Sequence, residues 1–180
     1  ASAHIHVDEG GAPESMAGMK LWTVPTADGK LRPDDVQGQC FDMEFVHRAQ
    51  PGAVSITQSS ELGTVYSPDE VSALAEVAHA NNLALHMDGA RLSNAAASLH
   101  VPVRAFTVDA GVDLVSFGLT KNGAMAAESV IVLNGDRVQG VDFLRKTSMQ
   151  LASKMRFLSA QFAAMLTDDL WLRSAGHANA

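Results

Sequence analysis

Three charged side chains follow two predicted strands at the points where those strands end. Asp88 comes directly after the apolar run 83–87, and Arg91 lies three residues further on. Lys121 follows the second run, 112–117, by four residues. A lysine amine forms Schiff bases with aldehydes, and a carboxylate keeps a neighbouring pyridine nitrogen protonated. These residue types at this spacing therefore suit a pyridoxal-phosphate enzyme.

Each of these residues also has a purely structural interpretation. Asp88 with the glycine after it is an ordinary turn signal, Arg91 fits an exposed helix surface, and Lys121 fits a solvated loop. Their joint spacing within a strand–loop–helix–strand pattern favours a ligand site, because ligands of open α/β sheets bind beyond the carboxyl ends of the strands.

The elements that would position these residues alternate between strands and helices. Apolar runs bounded by turn residues predict short strands over 20–24, 53–57, 83–87, 112–117 and 130–133, the last apolar enough to be buried on both faces. Ser67-Pro68-Asp69-Glu70 is a capping box, and the apolar spacing from Val71 onward predicts a helix that ends near residue 82. This alternation predicts an α/β fold with a largely parallel sheet.

Further helices are predicted from caps and apolar spacing. They begin at Pro33, cover 91–99 and 106–110, and occupy most of the chain from Asp136 onward. The opening segment 3–7 is typical of the middle of a strand or a turn. Candidate buried positions in the last segment are Phe143, Leu144, Leu151, Met155, Leu158, Phe162, Met165 and Leu166.

Composition narrows the class of protein. The chain has 180 residues, of which 47% are hydrophobic and 18% charged, which fits a globular protein with one well-buried core. Its net charge of −7 argues against nucleic acid or an anionic membrane surface as the main partner. The single cysteine, Cys40, cannot form an internal disulfide, which favours a reducing cytoplasm; we interpret it as a small apolar residue rather than a reactive thiol.

Other reactive residue types form no recognisable site. His6 would share a face with His4 in an extended segment, but a hydrogen-bonded structural role is favoured, and His86 within an apolar strand is interpreted as a satisfied core histidine. The sequence has no zinc-ligand spacing, so no metal site is predicted, and it has no Gly-x-Ser-x-Gly elbow of a serine hydrolase.

Two blocks carry a family resemblance. Residues 86–95, His-Met-Asp-Gly-Ala-Arg-Leu-Ser-Asn-Ala, and 116–123, Ser-Phe-Gly-Leu-Thr-Lys-Asn-Gly, resemble signature blocks of the low-specificity threonine aldolases. These belong to the aromatic amino-acid β-eliminating lyase/threonine aldolase group of fold-type I pyridoxal-phosphate enzymes. Residues 3–14, 57–66 and 150–159 also match, so the resemblance covers essentially the whole chain.

The resemblance implies a role for each matching residue. Lys121 matches the lysine that holds pyridoxal 5'-phosphate, Asp88 the acid paired with the pyridine nitrogen, and Arg91 an arginine near the phenolic oxygen. His4 matches the histidine that stacks on the ring and lies near the substrate hydroxyl. Arg156 matches an arginine near the cofactor or a subunit contact.

The resemblance also implies what lies outside the matched region. Family members carry a phosphate-binding loop upstream and, downstream, a C-terminal domain with an arginine that binds the substrate carboxylate. We therefore expect residues 1–135 to be the central part of a fold-type I large domain, and 136–180 to be a helical segment leading to that further domain. The chain is interpreted as an excerpt that alone would show little aldolase activity.

The activity implied is cleavage of L-threonine or L-allo-threonine to glycine and an aldehyde, with His4 handling the hydroxyl proton. The small amino-acid substrate would be the ligand, and family members act as homodimers or homotetramers. Two alternatives stay open: a β-eliminating pyridoxal-phosphate lyase of the same fold, and a non-catalytic fragment that only folds or associates.

Overall fold

The core of the protein is a four-stranded mixed sheet, seen in a computed structural model that describes residues 2–180. The strands β1 (Ala53–Thr57), β2 (Ala84–Gly89), β3 (Leu114–Gly118) and β4 (Glu128–Val132) lie side by side in chain order. The first three are parallel, and β4 runs antiparallel to β3. The predicted α/β fold with a mainly parallel sheet is confirmed.

Helices flank the sheet and fill the C-terminal part of the chain. They are α1 (His4–Val7), α2 (Ala12–Ala17), α3 (Pro33–Gln37), α4 (Pro68–Ala80), α5 (Leu92–Leu99), α6 (Val141–Thr147), α7 (Arg156–Leu166) and α8 (Leu170–Asn179). Short 3₁₀ turns occupy Val103–Phe106, Thr120–Asn122 and Thr167–Asp169. Within residues 2–180, none of these helices has the length and apolar character needed to cross a bilayer.

The capping box predicted at the start of α4 is present. Ser67 Oγ accepts a hydrogen bond from Glu70 N at 3.2 Å, and Glu70 Oε2 accepts one from Ser67 N at 2.8 Å. Because both bonds satisfy amides that have no partner within a helix, they fix where α4 begins. The predicted apolar stripe is buried as well: Val71, Leu74, Ala75 and Ala78.

The two faces of the sheet differ in polarity, which decides where a site can form. Along β2, Leu85 and Met87 are fully buried, whereas the alternating residues His86 and Asp88 are only half-buried. This alternation follows from the two-residue period of a strand. The face with Leu85 and Met87 packs into the core. The opposite face carries polar groups, which lead to the edge of the sheet where β2 and β3 end.

The predicted burial of the last strand is wrong. Residues 130–133 were expected in a strand buried on both faces, but β4 is an edge strand in which Val130 is 55% exposed. It also runs antiparallel to β3, because the connection between the two strands is short and a parallel return needs a crossover of roughly a dozen residues or more. The loop 119–127 is too short for that.

Two further local predictions are also wrong. Residues 20–24 form no strand. The guanidinium of Arg48 instead packs on the Trp22 ring, with Arg48 Cζ 4.1 Å from the ring centroid. Residues 4–7 form the short helix α1 rather than an extended segment, closed by hydrogen bonds to Ala3 O from the amides of His6 and Val7. His6 therefore does not share a face with His4.

The segment from 136 is helical as predicted, but its burial differs from expectation. Phe143 and Leu144 of α6 are 75% and 63% exposed, and Leu151 and Leu166 are exposed too, whereas Met165 is buried. A helical period identifies an apolar face but not the surface that covers it. The buried contacts come later, where α8 packs against α5 and buries Trp171.

A buried carboxylate fastens the edge of the sheet opposite to the predicted site. Asp113, fully buried before β3, accepts hydrogen bonds at 2.8 Å from Leu85 N, His79 Nε2 and Asn134 Nδ2. These donors lie on β2, on α4 and after β4. The three hydrogen bonds offset the cost of burying the carboxylate. Because the donors come from three different elements, Asp113 also holds those elements together.

Candidate active site

A cavity of about 300 Å³ lies at the carboxyl ends of the parallel strands. It brings together four of the five predicted site residues, and its lining consists of His4, Glu9, Thr57, Glu61, Asp88, Ala90, Arg91, Thr120, Lys121 and Glu128. The sequence placed these residues up to 124 positions apart, from His4 to Glu128. The ends of neighbouring strands bring them together at one edge of the sheet.

Asp88 serves both the turn and the cavity. Its Oδ1 accepts a hydrogen bond from Ala90 N at 3.0 Å, which is the turn role expected of an Asp-Gly pair. Gly89 is required there because a Cβ would lie 2.8 Å from Ser116 O. Among residues 2–180, nothing donates a hydrogen bond to Asp88 Oδ2, so that oxygen can accept one from a ligand.

Lys121 lies in a loop whose neighbours are firmly held. The 3₁₀ turn Thr120–Asn122 follows β3, and the left-handed backbone of Gly123, with φ of 106°, returns the chain toward β4. Asn122 is buried, and its Nδ2 donates to Trp171 O at 2.9 Å. The Lys121 amine itself forms no ion pair or hydrogen bond within the described part of the chain.

Arg91 precedes α5 directly, and its guanidinium likewise pairs with no carboxylate among the described residues. Within residues 2–180, Asp88 Oδ2, the Lys121 amine and the Arg91 guanidinium thus line one cavity and have no hydrogen-bond or ion-pair partner. Convergent polar groups of this kind are typical of a ligand site. They fit pyridoxal phosphate, because its pyridine nitrogen, aldehyde and phenolic oxygen are complementary to an acid, an amine and a cation.

His4 is held by two glutamates that were not predicted as site residues. Its Nδ1 lies 2.6 Å from Glu9 Oε1, and its backbone N donates to Glu61 Oε1 at 2.7 Å. Glu128 at the start of β4 was also not predicted, although its carboxylate lines the cavity. Glu9 and Glu61 lie in the matching blocks 3–14 and 57–66, which was a usable signal, whereas nothing in the sequence pointed to Glu128.

His86 lies beside this cavity between two hydroxyl groups. Its Nδ1 is 2.9 Å from Ser55 Oγ, and its Nε2 is 2.9 Å from Ser116 Oγ. Burial lowers the pKa of His86, and the negative charge of Asp88 opposes that shift. The ring bridges three strands, so its hydrogen bonding is satisfied as predicted, but it is half-buried and lines a second cavity, so its interpretation as a core residue is wrong.

A second cavity of about 330 Å³ continues the first along the polar face of the sheet. The two share Glu9 and Asp88, and the second is also lined by Ile5, Ala12, Pro13, His86 and Ser116. His6 does not take part: it is exposed, and its ring forms no hydrogen bond within the described residues.

Arg156 is the predicted site residue that the structure leaves outside the cavity. It is exposed at the start of α7, with its guanidinium 4.8 Å from the centroid of the Phe157 ring. Its role near the cofactor or a subunit contact stays a prediction. No group of three or more His, Cys, Asp or Glu side chains in residues 2–180 is arranged to hold a metal ion.

Fold and cavity together define an α/β protein with a ligand site at the carboxyl edge of its sheet. The chain belongs to the beta-eliminating lyase family, whose model matches residues 1–180. It is 44% identical over 179 residues to the low specificity L-threonine aldolase of Pseudomonas aeruginosa, covering 99% of this chain and 52% of that protein. The chain therefore spans about half the length of this curated relative.

Solved structures agree with this assignment. A threonine aldolase of Leishmania major superimposes with a TM-score of 0.90 at 31% identity, over 99% of this chain and 52% of that one. A putative L-allo-threonine aldolase of Listeria monocytogenes superimposes with a TM-score of 0.74 at 19% identity, over 97% of this chain and 46% of that one. At this identity the similarity shows the shared fold alone. The family resemblance found in the sequence is confirmed.

Proposed function

We propose that the full-length protein containing this chain is a pyridoxal-phosphate-dependent aldolase. It cleaves L-threonine, L-allo-threonine and related β-hydroxy-α-amino acids to glycine and an aldehyde. The observation that carries the proposal is the cavity lined by Asp88, Arg91 and Lys121, in which Asp88 Oδ2, the Arg91 guanidinium and the Lys121 amine have no hydrogen-bond or ion-pair partner within residues 2–180. The name of the Pseudomonas aeruginosa relative supports the choice of reaction.

Three residues would hold the cofactor in this proposal. The Lys121 amine is the covalent attachment point, Asp88 Oδ2 keeps the pyridine nitrogen protonated, and Arg91 balances the charge of the phenolic oxygen. When bound, the cofactor withdraws electrons from the Cα–Cβ bond that breaks. Arg156, which lies outside the cavity, is retained as an arginine near the cofactor or at a subunit contact.

His4 would handle the proton of the substrate hydroxyl. It lines the same cavity as the cofactor-binding residues, and a neutral imidazole accepts protons near pH 7. The groups that recognise the cofactor phosphate and the substrate carboxylate would come from other parts of the full-length protein, which fits the half-length coverage of the relatives.

We also propose a homodimer or homotetramer in the cytoplasm. Support for association comes from large apolar side chains left exposed in the 141–157 region, including Phe143, Met149 and Phe157. The single cysteine fits a reducing compartment. The division at residue 135, between a cofactor-binding part and a helical segment leading to a further domain, is likewise a proposal.

Reduction with borohydride tests the proposed function directly. The full-length protein is incubated with pyridoxal phosphate, reduced, digested and mapped, and we expect the pyridoxyl label on Lys121. Lys30 provides an internal control, because its amine is already paired with Glu70 at 2.6 Å. A label on Lys20, Lys30, Lys146 or Lys154 in place of Lys121 would contradict the assignment.

Product analysis tests the reaction. Glycine and acetaldehyde from L-threonine are the expected products. Pyruvate and ammonia from an amino acid with a β-leaving group, without glycine formation, would indicate the β-eliminating alternative. Cofactor binding with neither reaction would indicate a non-catalytic protein.

A further inference from the structure

The imidazole of His4 is paired with a carboxylate inside the candidate active site. Nδ1 of His4 lies 2.6 Å from Glu9 Oε1, and both side chains line the 300 Å³ cavity. An ionised carboxylate only accepts hydrogen bonds, so Nδ1 carries the hydrogen. In the neutral ring, Nε2 is then the nitrogen with the free lone pair, and it forms no hydrogen bond within residues 2–180.

Hydrogen bonds, not packing, hold this histidine in position. The helix α1 that carries it has only four residues and buries none of them. Instead, Glu61 accepts the His4 backbone N–H at 2.7 Å, and Glu9 accepts the ring N–H. Glu9 itself is placed by the turn after α1, where Gly10 and Gly11 adopt left-handed backbone conformations with φ of 58° and 75°.

We infer that Glu9 is a positioning residue that keeps His4 in the tautomer able to accept the substrate hydroxyl proton. This inference rests on the proposed aldolase function. In the cleavage step the proton passes from the β-hydroxyl oxygen to His4 Nε2, the oxygen forms the carbonyl of the aldehyde, and the Cα–Cβ electron pair remains on the glycine side. A carboxylate that fixes an imidazole tautomer is a known device for orienting a general base.

Other charged groups face the same cavity and do not replace Glu9. They are Glu61, Asp88, Arg91, Lys121 and Glu128. Glu61 contacts the backbone of His4 and not its ring, and Asp88 accepts from the Ala90 amide. Within residues 2–180, the Glu9 carboxylate is therefore the group that specifies the protonated ring nitrogen.

The test is Glu9→Gln in the full-length protein. Glutamine keeps the length of the side chain, but its amide can turn either an acceptor or a donor toward Nδ1, so the tautomer is no longer specified. We expect kcat to fall about 10- to 100-fold with little change in KM. The control is Glu14→Gln, because Glu14 is exposed on α2 and does not line the cavity.

A second readout does not depend on catalysis. Nitrogen-15 NMR of the cofactor-free protein reports which ring nitrogen of His4 is protonated, with the His4 signal assigned by its loss in His4→Gln. We expect the Nδ1–H tautomer in the wild type and in Glu14→Gln, and a mixture in Glu9→Gln. Glu9→Asp retains a carboxylate and should recover most of the Nδ1–H tautomer and part of kcat.

The outcomes separate this inference from the proposed function. Wild-type kcat in a folded Glu9→Gln variant, or an unchanged tautomer despite lost activity, would overturn the role of Glu9. If Glu9→Gln does not fold, Glu9→Asp decides: a mixed tautomer with unchanged kcat overturns the inference. A wild type that makes no glycine refutes the proposed function, while the NMR result still reports on the Glu9–His4 pair.

Discussion

Removing the charge of Asp88 should reduce turnover by about three orders of magnitude without disturbing the fold. Asp88→Asn keeps the side-chain oxygen that accepts the Ala90 amide hydrogen at 3.0 Å, so the turn after β2 should persist. The lost interaction is the attraction between the Asp88 carboxylate and the protonated pyridine nitrogen that it would hold. Asp88 is half-buried, where an effective dielectric of about 20 applies, and two unit charges about 4 Å apart then interact by about 4 kcal/mol. Since about 1.36 kcal/mol corresponds to a tenfold change, the loss is about 10³-fold.

The assay compares kcat for glycine formation, cofactor absorbance and thermal unfolding in full-length wild type and Asp88→Asn. Asp142→Asn is the matched control, because Asp142 is exposed in the first turn of α6 and does not line the cavity. Turnover of Asp88→Asn within about tenfold of wild type, with cofactor bound, would refute the electrostatic argument. Complete loss of cofactor would show instead that Asp88 serves mainly to retain it.

The remaining predictions concern stability. Asp113→Ala should lower the free energy of unfolding by about 3–5 kcal/mol, measured by urea denaturation, because buried donors such as Leu85 N lose their acceptor. Ser67→Ala should cost about 1 kcal/mol by removing the acceptor of the Glu70 amide; an unchanged urea midpoint would contradict this. Burial lowers the pKa of His86 below its ordinary value of 6.5. The unfolded chain therefore binds a proton at this residue more readily than the folded protein, and the free energy of unfolding falls as the pH decreases below about 6.5. His86→Gln should therefore lose less stability between about pH 7 and pH 5, and an equal loss would argue against the shift.

The sequence was sufficient for the parts of the site that depend on local signals. Asp88, Arg91 and Lys121 follow strands that short apolar runs define well, and the cavity contains all three. Periodicity could not reveal the direction of β4, because an apolar run reads the same in a parallel and an antiparallel strand. The direction followed from the length of the connection after β3.

Glu61 and Glu128 were missed for a related reason. Each reaches the cavity only through the tertiary arrangement, one from the loop after β1 and the other from the start of an antiparallel strand. A single sequence carries no local mark of such contacts. The exposed positions Phe143 and Leu144 illustrate the same limit, since their apolar character specifies a buried face without specifying what covers it.

The tethering of the Lys121 loop has a consequence for the order of events during synthesis. Asn122 is bound on two sides by α8: its Nδ2 donates to Trp171 O at 2.9 Å, and its carbonyl oxygen accepts from Ser174 Oγ at 3.3 Å. Trp171 and Ser174 lie 49 and 52 residues after Asn122 in the chain. On the ribosome, where domains form as the chain emerges, the strands can pair before α8 has emerged. The lysine loop then gains its final support late, so a nascent chain stalled before Trp171 should present a formed sheet with a lysine that is not yet fixed in place.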